Sequence, residues 1–202
     1  VTGHSHMLSR LFDVAAAIAG AMIFVVTYPL IALAIKLDSR GPVIYSQTRV
    51  GMNGKRFTMY KYRSMSHEGH KPYETPKLEH VHFKTFVFTT PMSRLTRVGR
   101  FLRATSLDEL PNFWNVLKGD MSIVGPRPEI PELVEQYPPE YHRRHDVKPG
   151  ITGRAQINGR ADLSYDETMQ YDIEYVNRHS FTGDLKIVWL TLAAVITRKG
   201  AR

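Results

Sequence analysis

The sequence predicts an α+β protein, mostly helical, in which a membrane-inserted helix, a small β-hairpin and amphipathic interfacial helices surround one polar domain. Three observations carry that expectation. Val14 to Ile35 is a run of 22 residues without a charge. Two β-rich runs flank a turn signal at Asn53-Gly54. Beyond them, two capping-box patterns and an arginine-leucine stripe mark helices. A length of 202 residues suits one domain, with or without an anchor. The net charge of +8 asks for an anionic partner: nucleic acid, anionic lipid or a phosphorylated small molecule. Cysteine is absent, so disulfide frameworks and thiolate metal sites are excluded.

Residues 1–6 read as a cloning scar, leaving 7–37 as the membrane segment and 38–202 as the domain. As a helix the uncharged run reaches roughly 33 Å at about 1.5 Å per residue, enough to cross a bilayer. Asp13 in the flank and Pro29 in the apolar core disfavour a signal peptide. A soluble core helix needs only one apolar face, and this segment is apolar all round. Tyr28-Pro29 predicts a break in the helix, since proline removes a backbone donor. Arg10 on one flank and Lys36 and Arg40 on the other place both ends on the cytoplasmic side. A re-entrant helix bent at Pro29 meets both conditions better than a spanning one.

Val43 to Gln47 and Phe57 to Tyr62 make the hairpin. Lys61 and Arg63 lie two apart, so on a strand they share a face and could grip one phosphate; a solvated basic face is the plain alternative. Residues 66–91 read as a variable loop or lid with a short strand at Phe83 to Phe88. Its histidines, at 67, 70, 80 and 82, have no zinc-site spacing. Arginines at 94, 97, 100 and 103 alternate with Leu95, Val98, Phe101 and Leu102, as in a helix lying in lipid headgroups or on a protein surface.

Ser106 and Glu109 have capping-box spacing, while Pro111 favours a cap nearer Asp108. Either way Asp108 and Glu109 stand at a helix N-terminus, where phosphate is also attracted. They could be capping acids and nothing more. Gly119 reads as the stop of that helix. Arg127, held between Pro126 and Pro128, is preordered for an oxyanion or simply part of a turn. A helix is expected from Leu133 to Arg144. A loop then carries Gln156, Asn158 and Arg160 as a nucleotide and phosphate cradle, without a Walker or G-x-G-x-x-G pattern. Ser164 and Glu167 form a second capping box, opening a helix to about Asn177. The last apolar run, Asp184 to Lys199, is too short to span; Trp189 suits an interface or the core.

Adjacent carboxylates repel each other, and a divalent cation such as Mg2+, held by Asp108 and Glu109, relieves that while bringing a phosphate oxygen. A carboxylate can also attack phosphorus, and cations around it stabilise the transferring charge. Phosphoryl-type transfer to or from a lipid follows as the expected chemistry.

Taken in order, the motifs resemble those of bacterial sugar transferases, the monotopic polyprenyl-phosphate phosphoglycosyl transferases, over Met7 to Lys199. The matching stretches are Arg10 to Asp13, Tyr60 to Met65, Arg103 with Ser106 to Pro111, Leu117 to Ser122, Gly125 to Pro128, Pro149 to Gly153 and Gln156 to Arg160. Asp172, Tyr175, Ser180 and Asp184-Leu185 complete them. The resemblance implies a small, catalytic-domain-only member at the cytoplasmic face of the bacterial inner membrane. Asp108 would attack the β-phosphate of a UDP-sugar, release UMP and pass the sugar phosphate to undecaprenyl phosphate. Glu109 would bind Mg2+ or accept a proton. Lys61, Arg63 and Arg127 would be phosphate ligands, with Arg103 and Arg160 as supporting cations. Pro128, Gln156 and Asn158 would belong to the substrate site, and Arg10 would sit near the headgroups of an anionic phospholipid membrane. A homodimer is one compatible assembly. Where small members carry Ser-Pro at the helix break, this chain has Tyr28-Pro29, which leaves the capping role to Thr27. A membrane-associated scaffold protein is the alternative from another class. A nucleic-acid module is disfavoured by the apolar segment and the lack of an aromatic-basic reading surface.

Overall fold

The computed structural model describes residues 3–66, 94–159 and 162–196. The histidine-bearing loop, its expected strand and Arg160 lie outside the described residues. The architecture is α+β and mostly helical, as expected.

Helix α1 (Gly3–Asp38) runs 36 residues with Pro29 inside it. The expected break at Tyr28-Pro29 does not appear. Proline withdraws one backbone bond, but the Pro29 ring faces outward, and Thr27 adds hydroxyl bonds to the carbonyls of Ile23 (2.7 Å) and Phe24 (3.4 Å). Tyr28, itself exposed, stacks on the buried Tyr62, with ring centroids 6.3 Å apart.

Polar tethers fasten both ends of α1 to the same body. Near its start, Asp13 accepts from Ser122 Oγ (2.9 Å) and the Ile123 amide (2.8 Å). Near its end, Asp38 accepts from the Val98 amide at 2.9 Å. Between these points Ala17 and Ile35 are buried, while Val25, Val26, Leu30, Leu33 and Leu37 point outward. By length and composition α1 could cross a membrane, and only 11% of its apolar window is buried, so it is not a core helix.

The hairpin forms as expected: β1 (Ile44–Val50) pairs antiparallel with β2 (Arg56–Tyr62), opposing Tyr45 to Lys61. Asn53 (φ +56°) and Gly54 (φ +73°) make the turn. The other edge of β2 is met by a side chain. Asn115 donates to the Thr58 carbonyl (2.7 Å) and accepts from the Tyr60 amide (3.3 Å), as a strand residue would. That locks α3 (Asn112–Lys118) against β2; Gly119, at φ +86°, ends α3.

Helix α2 (Arg97–Ala104) is capped by Thr96. Its Gly99 lies so close to Ser64 that a Cβ would stand 1.9 Å from the Ser64 carbonyl oxygen. This approach joins α2 to the end of β2. Ile35, Tyr62, Leu102 and Leu110 close one apolar cluster beneath that junction.

Two expectations for the C-terminal half are corrected. The helix expected over Leu133 to Arg144 divides into α4 (Pro131–Val134) and a 3-10 run, Pro139–Asp146, because the Pro138-Pro139 pair withholds amides and disfavours helical backbone before it. The expected loop of 145–160 contains a strand and a helix. Strand β4 (Gly150–Thr152) runs parallel to β3 (Ser122–Val124), and α5 (Arg154–Asn158) follows. Helix α6 (Tyr165–Arg178) opens with the expected Ser164–Glu167 capping box. Helix α7 (Phe181–Ile196) leaves Trp189 exposed.

Candidate active site

Asp108 and Glu109 stand in a 3-10 turn, Leu107–Glu109, between α2 and α3. Ser106 enters that turn in the left-handed region, φ +56°, a conformation of cost for any residue with a Cβ. The capping box expected from Ser106 and Glu109 does not form, and Pro111 holds the N-cap position of α3 without a side-chain bond. Glu109 is drawn elsewhere. The two acids are therefore not capping residues.

Glu109 Oε1 receives Lys61 Nζ at 2.8 Å and Arg127 Nη2 at 3.1 Å. Asn112 Nδ2 reaches its other oxygen at 3.4 Å. Asp108 is buried, and among the described residues no hydrogen-bond donor reaches its carboxylate. Arg103 contributes charge beside it and anchors its Nε on Ser64 Oγ at 3.2 Å. These neighbours drive the two acids apart. Burial, then the charge of Glu109, pushes Asp108 up to about 6 against the attraction of Lys61, Arg103 and Arg127. Burial would raise Glu109 as well, but Lys61 and Arg127 outweigh it and hold Glu109 at about 2. Burial, and then Arg127, lowers Lys61.

Arg127 reaches Glu109 from the loop after β3, and that loop is pinned carbonyl by carbonyl. The Pro126 oxygen accepts from the Gly150 amide (2.9 Å), and that of Arg127 from Arg144 Nη2 (2.6 Å). Pro128 accepts from Arg49 Nη1 (3.1 Å), and Glu129 from the Val50 amide (2.9 Å). The approach of the two backbones requires glycine: a Cβ on Gly150 would stand 2.1 Å from the Gly125 nitrogen.

Of the residues expected from sequence, Lys61, Arg103, Asp108, Glu109 and Arg127 come together, with Pro128 buried behind Arg127. The expected joint grip of Lys61 and Arg63 does not form. Arg63 follows the end of β2, is buried, and donates to carbonyls at the end of α1: Ser39 (2.8 Å), Ile35 (3.5 Å) and Arg40. A guanidinium there satisfies open carbonyls and the negative end of the helix dipole. Arg10 likewise caps α3, donating to Val116 (2.8 Å) and Leu117 (3.2 Å). Gln156 and Asn158 sit on α5, which packs on α6 and α7, and neither bonds to the carboxylate cluster. Asn158 closes its own helix on the Arg154 carbonyl at 2.7 Å. The Gln156 amide is buried without a partner among the described residues. Sequence reasoning missed Arg49 and Arg144. A Pro-Arg-Pro loop cannot satisfy its own carbonyls, which is the one signal that donors must come from elsewhere.

The sequence profile of the family described as "Bacterial sugar transferase" matches residues 4–198. The chain belongs to that family. Among similar proteins, a galactosyl transferase CpsE of Streptococcus agalactiae is 41% identical over 98% of this chain and 44% of its own length. The UDP-glucose:undecaprenyl-phosphate glucose-1-phosphate transferase of Escherichia coli is 44% identical over 100% of this chain and 43% of its own. An uncharacterized sugar transferase EpsL of Bacillus subtilis is 41% identical over 96% of this chain and 90% of its own. This sugar transferase family member thus spans less than half of the first two relatives and nearly all of the third.

For such a family the arrangement has direct chemical meaning. A desolvated carboxylate is a stronger nucleophile than one in water, and Asp108 is buried beside three cations, Lys61, Arg103 and Arg127.

Proposed function

We propose that this protein transfers a sugar phosphate from a UDP-sugar to undecaprenyl phosphate, with Asp108 as the nucleophile. One observation carries the reading: among the described residues no donor reaches the buried Asp108 carboxylate, while its neighbour Glu109 is locked between Lys61 and Arg127. The names of the relatives support the donor and acceptor classes.

In the first step an Asp108 oxygen bonds to the β-phosphorus, and the bond from that phosphorus to the bridging oxygen breaks. UMP leaves with the bridging oxygen and its electron pair. In the second step a phosphate oxygen of the lipid bonds to the same phosphorus, and the Asp108 oxygen–phosphorus bond breaks, restoring the carboxylate. Lys61, Arg103 and Arg127 hold the negative charge that moves across the phosphorus. Glu109 positions Lys61 and Arg127 rather than taking a proton, because a carboxylate held at about 2 is a poor base near neutrality. Asp108 and Glu109 Oε2 are hard oxygen donors and fit Mg2+, which would neutralise diphosphate charge. Among the described residues no third metal-ligating side chain joins them, so phosphate oxygens and water would complete the shell.

The protein acts at the cytoplasmic face of the inner membrane in this reading. Both ends of α1 are tethered to one folded body, which suits an unbroken helix whose two ends lie on the same side of the bilayer as that body. Phe101, Trp114 and Trp189, exposed on α2, α3 and α7, supply the further apolar anchors expected at a bilayer surface.

The test is UMP release by reconstituted protein from a panel of UDP-sugars, with and without undecaprenyl phosphate and Mg2+. Sustained release that needs the lipid is expected. No release from any donor would remove the reading.

A further inference from the structure

Arg144 and Asp172 form an ion pair that nothing in the reaction above uses. Each side chain is only 1% exposed, and Arg144 Nη2 meets Asp172 Oδ2 at 2.7 Å. A buried ion pair is weak evidence of a stabilising role, since packed apolar residues often serve the fold as well. Its contacts point to another purpose. The same Nη2 donates to the Arg127 carbonyl at 2.6 Å, and Nη1 donates to the Tyr137 hydroxyl at 2.7 Å. Tyr137 in turn shares a hydrogen bond with the Tyr165 hydroxyl. Its ring stacks on that of His145 at 6.1 Å.

The geometry points to Arg144, oriented by Asp172 and Tyr137, as the positioning residue that sets where the Arg127 guanidinium stands over the carboxylate pair. Arg127 lies between two prolines, so the peptide planes on either side of it have little freedom of their own. Its remaining backbone rotation turns the carbonyl that Arg144 holds. Fixing that oxygen fixes the direction in which the side chain leaves the chain, toward Glu109 3.1 Å away. The Arg127 side chain is half-exposed, so side-chain packing alone does not place it. The neighbouring carbonyls are held by Arg49 and two backbone amides, which position the loop but not this one plane. Asp172 also balances the buried guanidinium of Arg144, a second positive charge on the Arg127 segment.

The inference rests on the proposed role of Arg127 at the diphosphate, and two readouts separate them. Arg144→Lys keeps a charge opposite Asp172 but loses the planar fork. The double replacement Arg144→Met with Asp172→Leu removes the pair while filling its volume. Hydrogen exchange is followed over the segment 125–130 and, as a reference, over β1 and β2. Roughly tenfold faster exchange in the segment alone is expected for both variants. Unchanged protection there would overturn the inference, whatever the reaction proves to be.

UMP release is then measured for the same changes in the native and Arg127→Ala backgrounds. A higher KM for the UDP-sugar and about a tenfold loss of kcat/KM is expected in the first, with no further loss in the second. Equal losses in both backgrounds would make the pair a matter of folding alone. Native protein that releases no UMP would defeat the proposed reaction, while exchange still decides the clamp.

Discussion

Replacing Asp108 by Asn should abolish turnover and, at neutral pH, relieve a strain that the folded protein carries. The carboxyl is pushed from the ordinary 3.8 up to about 6, chiefly by burial and then by Glu109. The folded state therefore binds its proton more tightly than the unfolded chain does. Its stability advantage from the protonated acid is complete below about pH 4 and is lost as pH rises through about 6. A shift of that size corresponds to about 3 kcal/mol above pH 7. For a domain of this length it amounts to roughly 6–12 °C in Tm. An asparagine does not titrate, so whatever offset its amide brings is the same at every pH. The assay is thermal unfolding of both proteins in one detergent at pH 4, 5.5 and 7.5. The Tm of the variant minus that of the native protein should grow by roughly 6–12 °C across the range. A difference that stays flat, or shrinks as pH rises, would refute the burial argument. Retained UMP release would refute the nucleophile.

The same group should shape the rate. With Asp108 ionising at about 6, kcat/KM for the UDP-sugar should fall tenfold per pH unit below that value, and a flat profile down to pH 5 would place the limb elsewhere. Arg63→Gln should cost about 3 kcal/mol or more, because it strips charged donors from the buried end of α1, and it should leave the KM for the UDP-sugar unchanged; a raised KM would return Arg63 to the phosphate ligands. Lys61→Met should lower kcat/KM roughly 100-fold and bring Glu109 back toward the usual carboxylate range, seen as a new acidic titration in the variant. The chain has no cysteine, so single cysteines placed at Met7 and Lys36 report topology cleanly. Both should label from the cytoplasmic side, and labelling from opposite sides would rule out the placement of both ends of α1 on one face.

Much of the candidate site was legible in the order of the residues. Short-range chemistry writes itself locally: Asn53-Gly54 turns a hairpin, Gly119 stops α3, and Ser164 with Glu167 caps α6, because each depends on neighbours a few residues away. Asp108-Glu109 and Pro126-Arg127-Pro128 were visible for the same reason, as unusual residues at close spacing. The 22 uncharged residues likewise announced, through composition alone, a long apolar helix of which little is buried.

What the tertiary structure decided is which partner each charge finds. Sequence spacing placed Lys61 and Arg63 together, yet one goes to Glu109 and the other to the carbonyls that end α1. Ser106 looked like a cap until the chain turned left-handed there, with Glu109 drawn to two cations from distant segments. Gln156 and Asn158, read as a cradle, fold into α5 and leave the carboxylate cluster to others. Arg144 had no local signal, because its acceptors lie at positions 127, 137 and 172. A motif reports the kind of chemistry available, since that resides in single side chains. The pairing of buried charges is settled only when distant segments meet, because desolvation makes every unpartnered charge costly and the fold alone determines which partner is within reach.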